Sequence, residues 1–155
     1  LDWNSAEKLP WGVLLLFGGG LALAAMIKTS GLAEWIAQNF SLLNGWPIFA
    51  VVLMIVTVII FLTEITSNTA TTATFLPLLG ALAQSVSPLL FLVPAAIAAS
   101  CAFMMPVATP PNAVVFGSGE LRIKDMMHAG GVLNLFGIAL VSCVAYYLVL
   151  ALFLS

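Results

Sequence analysis

The residues best equipped for chemistry lie where the hydrophobic middle of the chain is interrupted. The apolar run Ile48 to Leu62 stops at Thr63-Glu64-Ile65-Thr66-Ser67-Asn68-Thr69, and Thr71, Thr72 and Thr74 follow. A second interruption, Pro106-Val107-Ala108-Thr109-Pro110-Pro111-Asn112, breaks a later apolar run. If residues 48–66 and 70–86 are two helical arms, Ser67-Asn68-Thr69 is the tip that joins them near the middle of a membrane. The first arm then presents free carbonyls that hold a cation, and the second presents free amides that favour an anion. Asn68 carries both a carbonyl oxygen and an amide donor, and the hydroxyls of Ser67 and Thr69 serve in either role. The prolines of the second break leave upstream carbonyls without intrahelical donors. Those carbonyls suit the oxygen shell of a hard cation such as Na⁺.

Each of these features also has a plainer reading. Thr71, Thr72 and Thr74 are the kind of residue that hydrogen-bonds between or within membrane helices, and prolines often only kink them. Asn68 is harder to dismiss, because Asn cannot simply bond back to its own helix as Thr does. Glu64 is either a proton or cation site or a carboxylate satisfied by the surrounding backbone and polar neighbours. His128 sits among charged residues and reads as a snorkelling surface group. Cys101 and Cys143 lack CxxC or metal-ligand spacing and read as packing residues.

The elements that must position these residues follow from composition. Hydrophobic residues make up 63% of the chain and charged residues 6%, with a mean hydropathy of +1.19. A soluble domain carries roughly 45–50% apolar and about 25% charged residues. The charged residues apart from Glu64 fall at the edges of apolar stretches. The fold class expected is therefore an all-α membrane protein, in which spanning helices need about 20 apolar residues each. A net charge of −2 without a basic cluster excludes a nucleic-acid partner.

Along the chain, residues 11–28 read as a transmembrane helix containing Gly18-Gly19-Gly20, and residues 31–41 as an amphipathic helix at the interface. Residues 47–86 read as a re-entrant hairpin and residues 88–116 as a broken transmembrane helix. Its first piece is expected to run from Leu89 to Met105, with a restart over Ala113 to Phe116. Residues 129–154 read as a final spanning helix. Discontinuous helices meeting at the midplane are a pointer to secondary transport. Lys8, Arg122 and Lys124 fall on one side of this arrangement and Lys28 on the other, which puts residues 120–128 in the cytoplasm and the hairpin mouth outside. The first residues show no basic start followed by an apolar segment, hence no signal peptide. The absence of an initiator Met points to a fragment.

The two interruptions, Thr63-Glu64-Ile65-Thr66-Ser67-Asn68-Thr69-Ala70-Thr71-Thr72 and Met105-Pro106-Val107-Ala108-Thr109-Pro110-Pro111-Asn112-Ala113, in this order, resemble the divalent anion/sodium symporter family over nearly the whole chain. The resemblance implies an inverted-repeat transporter fold in which each repeat has a re-entrant helical hairpin and a discontinuous helix. This chain resembles the C-terminal repeat, residues 1–155 holding one of each. The resemblance implies sodium ligands at Thr63, Thr66, Asn68 and Ala108, mostly through backbone oxygens. It implies substrate contacts from Asn68, Thr69 and Pro110. The N-terminal repeat would supply a second Ser-Asn-Thr tip, a second sodium site and the rest of the pocket, in an intact homodimer working by an elevator-like movement.

The function expected is sodium-coupled transport of a small anion of the succinate, malate, citrate or sulfate class across an inner or plasma membrane, by a multi-pass protein in the lipid bilayer. A structural or partner-binding membrane fragment and a proton-coupled carrier using Glu64 are the alternatives. No His pairs with Ser or Cys, and neither HExxH nor a phosphate-cradling glycine loop occurs, so no enzyme is expected.

Overall fold

A computed structural model describes residues 46–83 and 87–153, together with scattered positions among the first 35. The expected helices at 11–28 and 31–41 lie largely outside the described residues. Among the described residues from 46 onward there are five helices and no strand. Helix α1 spans Ile48–Thr63, α2 spans Asn68–Leu82, α3 spans Leu89–Ala98, α4 spans Pro110–Gly117 and α5 spans Ile123–Phe153.

Helix α1 is rich in Val and Ile, which in water would favour a strand. It is helical because its buried positions, Val52, Val56, Ile59, Ile60 and Thr63, recur on a single face at helical spacing. Pro47 precedes it with φ near −60°, a fixed angle suited to helix entry. At 16 residues and 1.5 Å of rise each, α1 is roughly 24 Å long, short of the approximately 30 Å hydrocarbon core.

Helix α5 differs. Its 31 residues reach roughly 46 Å, long and apolar enough to cross a membrane, and 28% of its most apolar stretch is buried within the chain. Met126, Gly130, Asn134, Ile138, Val141, Ala145 and Val149 form its buried stripe. Val132, Leu135, Phe136, Tyr147 and Leu152 leave an apolar face exposed. A helix apolar on all sides belongs in hydrocarbon rather than water. It begins at Ile123, six residues before the expected start, so that Lys124 and Asp125 occupy its first turn. Gly119, at φ +78°, makes the turn between α4 and α5 in a conformation that favours glycine.

The core lies where α1, α3 and α5 meet: Val52, Val56, Ile59 and Ile60 pack with Ala95, Ala98, Ala99, Ile138 and Val141. Phe75, Leu76 and Leu79 of α2 pack against this cluster from the side. Phe49 and Tyr146 meet edge to face at 5.4 Å between ring centroids and tie α1 to α5. Helix α4 stands apart, with every residue but Asn112 exposed.

Two boundaries differ from expectation in ways that matter for the site. The turn between α1 and α2 is residues 64–67, so Asn68 and Thr69 open the second helix rather than sitting in the loop. Helix α3 ends at Ala98 rather than Met105, and the irregular segment 99–109 is correspondingly longer. No proline causes that early stop. The amides of Ser100 and Cys101 bond to carbonyls three residues back, so the helix tightens as it ends. The amides of Phe103, Met104 and Met105 further on are taken by a side chain from elsewhere in the fold.

Candidate functional site at the two helix interruptions

The site is built where the end of α1, the start of α2 and the irregular segment after α3 converge. Ser67 is the N-cap of α2: its backbone is extended, and its hydroxyl accepts the amide of Ala70 at 3.1 Å. The amides of Asn68 and Thr69 precede the first turn of carbonyls and have no intrahelical acceptor. They give this helix end its positive character.

Beside them, three oxygens crowd together. Thr63 is fully buried, and its Oγ1 lies 2.8 Å from Asn68 Oδ1 and 2.9 Å from the carbonyl oxygen of Ala99. A hydroxyl has one proton to donate. Two acceptors therefore compete for it in this orientation of Asn68. Turning the Asn68 carboxamide over resolves the competition, with Nδ2 donating to Thr63 Oγ1 and the hydroxyl proton going to Ala99. In either orientation a hydroxyl, a carboxamide and a backbone carbonyl converge, and their oxygens are of the kind a hard cation takes.

Thr66 turns away from this cluster. Its hydroxyl donates to the carbonyl of Leu62 at 2.9 Å and lies 2.6 Å from that of Thr71, which is buried. Thr72 bonds back to the carbonyl of Asn68 at 2.7 Å, the local pattern typical of Thr within a helix. Thr69 is exposed.

The second interruption is organised differently. Thr109 caps α4 by accepting the Asn112 amide at 3.3 Å. Pro110 and Pro111 bring no N–H to the first turn, so this end has fewer free amides to show an anion than α2 has. Asn112 Nδ2 donates to the carbonyls of Ala102 and Met105, both at 3.0 Å. Ala108 is buried, and its amide donates to Met105 at 3.2 Å; Pro110 is exposed. Among the described residues, no hydrogen bond joins Ala108 or Pro110 to Thr63 or Asn68. The structure thus brings Thr63, Asn68 and the Ala99 carbonyl together directly, and links Ala108 and Pro110 only through the chain of the break.

Glu64 holds that break in place. It is 4% exposed. Oε1 accepts the amides of Phe103 at 2.7 Å and Met104 at 2.9 Å, while Oε2 accepts Met104 at 3.1 Å and Met105 at 2.9 Å. Asn134 Nδ2 adds a donor to Oε1 at 2.7 Å. A carboxylate acting as acceptor only, facing four N–H groups, is satisfied by its surroundings. Of the two roles open to Glu64 in the sequence, the hydrogen bonding matches the structural one.

Three participants carried no weight in the sequence. Asn134 is fully buried, and its signal was an isolated carboxamide in an otherwise apolar segment, which is costly in a membrane. Gly130 lies one turn away. A Cβ there would fall 2.6 Å from Met104 Cα and still closer to the Phe103 carbonyl, so only glycine lets α5 approach this backbone. The Ala99 carbonyl had no sequence signal at all.

Comparison with known proteins identifies the family. A family model described as "Sodium:sulfate symporter transmembrane region" matches residues 1–153. The chain is 53% identical over 151 residues to a protein of Staphylococcus saprophyticus subsp. saprophyticus named sodium-dependent dicarboxylate transporter SdcS, covering 96% of this chain and 29% of that protein. It is 50% identical over 150 residues to the protein of the same name from Staphylococcus aureus strain MRSA252, with the same two coverages. The chain therefore spans 29% of the length of these relatives. The chain belongs to the divalent anion/sodium symporter family of integral membrane transport proteins.

Proposed function

We propose that this chain is the C-terminal repeat of a multi-pass, sodium-coupled carrier of small dicarboxylates. The observation that carries the reading is the convergence of the Thr63 hydroxyl, the Asn68 carboxamide and the Ala99 carbonyl, directly beside the free amides that open α2. A cation in that cluster and an anion at the helix end stabilise each other, so each raises the affinity of the site for the other. That mutual stabilisation is what couples a sodium gradient to anion uptake. The relatives' printed name, sodium-dependent dicarboxylate transporter, points the same way.

In this reading Thr63, Asn68 and the Ala99 carbonyl hold sodium, Thr66 and Ala108 contribute through backbone oxygens rather than side chains, and Asn68, Thr69 and Pro110 touch the anion. Residues 47–86 form a re-entrant hairpin, in keeping with the shortness of α1 and α2. The N-terminal repeat of the same protein supplies the facing tip, and the intact carrier is a homodimer. The hydrogen-bond donors filling the Glu64 carboxylate speak against a proton-coupled carrier built on that residue.

The test is uptake of labelled succinate by proteoliposomes containing the full-length protein, with and without an inward sodium gradient. Sodium-driven uptake that disappears in Asn68→Ala is the expected result. Uptake indifferent to sodium would overturn the reading.

A further inference from the structure

The cation cluster is not self-supporting. Thr63 bonds to the Ala99 carbonyl, and its neighbour Glu64 binds the amides of residues 103 to 105. The end of α1 thus grips both ends of one irregular stretch, while Asn112 closes the far side through Ala102 and Met105. The remaining support comes from α5, where the Asn134 carboxamide reaches Glu64 and Gly130 leaves room for the 103–104 peptide.

Asn134 is an unusual choice for packing alone. It is fully buried and donates through Nδ2, but its Oδ1 is buried without a partner. A buried polar atom left unsatisfied costs stability, and an apolar side chain of similar volume would avoid that cost. The feature that Asn provides and Leu does not is an N–H aimed at Glu64 Oε1.

We propose that Asn134, with Gly130, is a positioning residue for cation binding: acting through Glu64, it locks residues 99–105 to the end of α1 so that Thr63, Asn68 and the Ala99 carbonyl are presented as one fixed set. The role rests on the sodium-coupled reading above. An ion bound by a preformed set of oxygens does not have to order them, so loosening the lock weakens sodium binding even though every ligand is still present.

The experiment uses the full-length protein in proteoliposomes and reads the sodium concentration that gives half-maximal succinate uptake. In parallel, hydrogen–deuterium exchange follows the amides of Phe103, Met104 and Met105. Asn134→Leu should raise the sodium half-saturation roughly tenfold, the lower end of what outer-shell substitutions do to ion sites, and should speed exchange of the three amides. Glu64→Gln should act in the same direction, and the double variant should be no worse than the poorer single one, because both break one linkage. Ser142→Ala serves as the control: Ser142 is also fully buried with an unpartnered hydroxyl, two turns further along the same helix face, and its loss should leave sodium half-saturation unchanged.

If the unmodified protein transports with sodium but Asn134→Leu keeps the original half-saturation, the positioning role is overturned and the transport reading stands. Equal shifts in Ser142→Ala and Asn134→Leu would overturn it too, as a general packing effect. Sodium-independent uptake by the unmodified protein would overturn both readings. Should Asn134→Leu not yield monodisperse protein, Asn134→Ala, which removes the donor without apolar bulk, is put through the same two measurements, with the same expected and overturning results.

Discussion

The two helix interruptions look alike in sequence but are held by opposite means. The one between α1 and α2 is stabilised by its own residues: Ser67 caps Ala70, Thr66 meets Thr71, and Thr72 bonds back to Asn68. The one after α3 depends on distant groups. Glu64 reaches across 39 to 41 residues to its amides, and Asn134 reaches Glu64 across 70. A locally capped turn forms wherever its few residues are placed, whereas a remotely held break exists only once the whole bundle has assembled. The first can carry ligand groups of fixed geometry, and the second can be displaced as the packing of α5 changes.

Substitutions sharpen this contrast, and they should rank in order of the distance from which each break is held. The largest loss is expected for Glu64→Ala, which strands three part-buried amides and the buried Asn134 carboxamide. At about 1–3 kcal/mol per unsatisfied buried group, the loss is on the order of 4 kcal/mol, read as a marked drop in melting temperature in detergent. Gly130→Ala comes next, at about 2–3 kcal/mol, because its methyl group meets backbone rather than a side chain that can swing aside. Ser67→Ala removes only a local cap, worth about 1 kcal/mol, with α2 otherwise intact. Thr72→Val should be the mildest, within about 0.5 kcal/mol, and should keep sodium-driven uptake. The contrast breaks if Ser67→Ala proves as damaging as Glu64→Ala.

Much of the local architecture was readable from the residues. The positions of both interruptions and the capacity of Thr to bond back to its own helix, as Thr72 does, were legible. The restart expected at Ala113 instead begins at Pro110, and Ser67 caps a helix rather than sitting mid-tip, because Thr109 and Ser67 each turn their hydroxyl onto the following backbone. The stop of α3 at Ala98 was not readable, since residues 99–105, Ala-Ser-Cys-Ala-Phe-Met-Met, contain neither Pro nor Gly. Its first amides close tightened turns onto α3, and from Phe103 to Met105 a carboxylate 39 to 41 residues away holds the amides in charge-assisted bonds instead of a helix.

By itself the sequence determined that this is a membrane protein with two polar interruptions, and that Asn68 stands at the critical one. Composition and spacing suffice for that, because the bilayer excludes unsatisfied polar groups wherever the chain places them. Only the tertiary structure decided which oxygens meet. It put the Ala99 carbonyl beside Thr63, turned Thr66 toward Thr71, and tied Glu64 to Asn134. Those pairings depend on how α1, α3 and α5 pack, and packing is set by the summed fit of many side chains rather than by any one spacing along the chain.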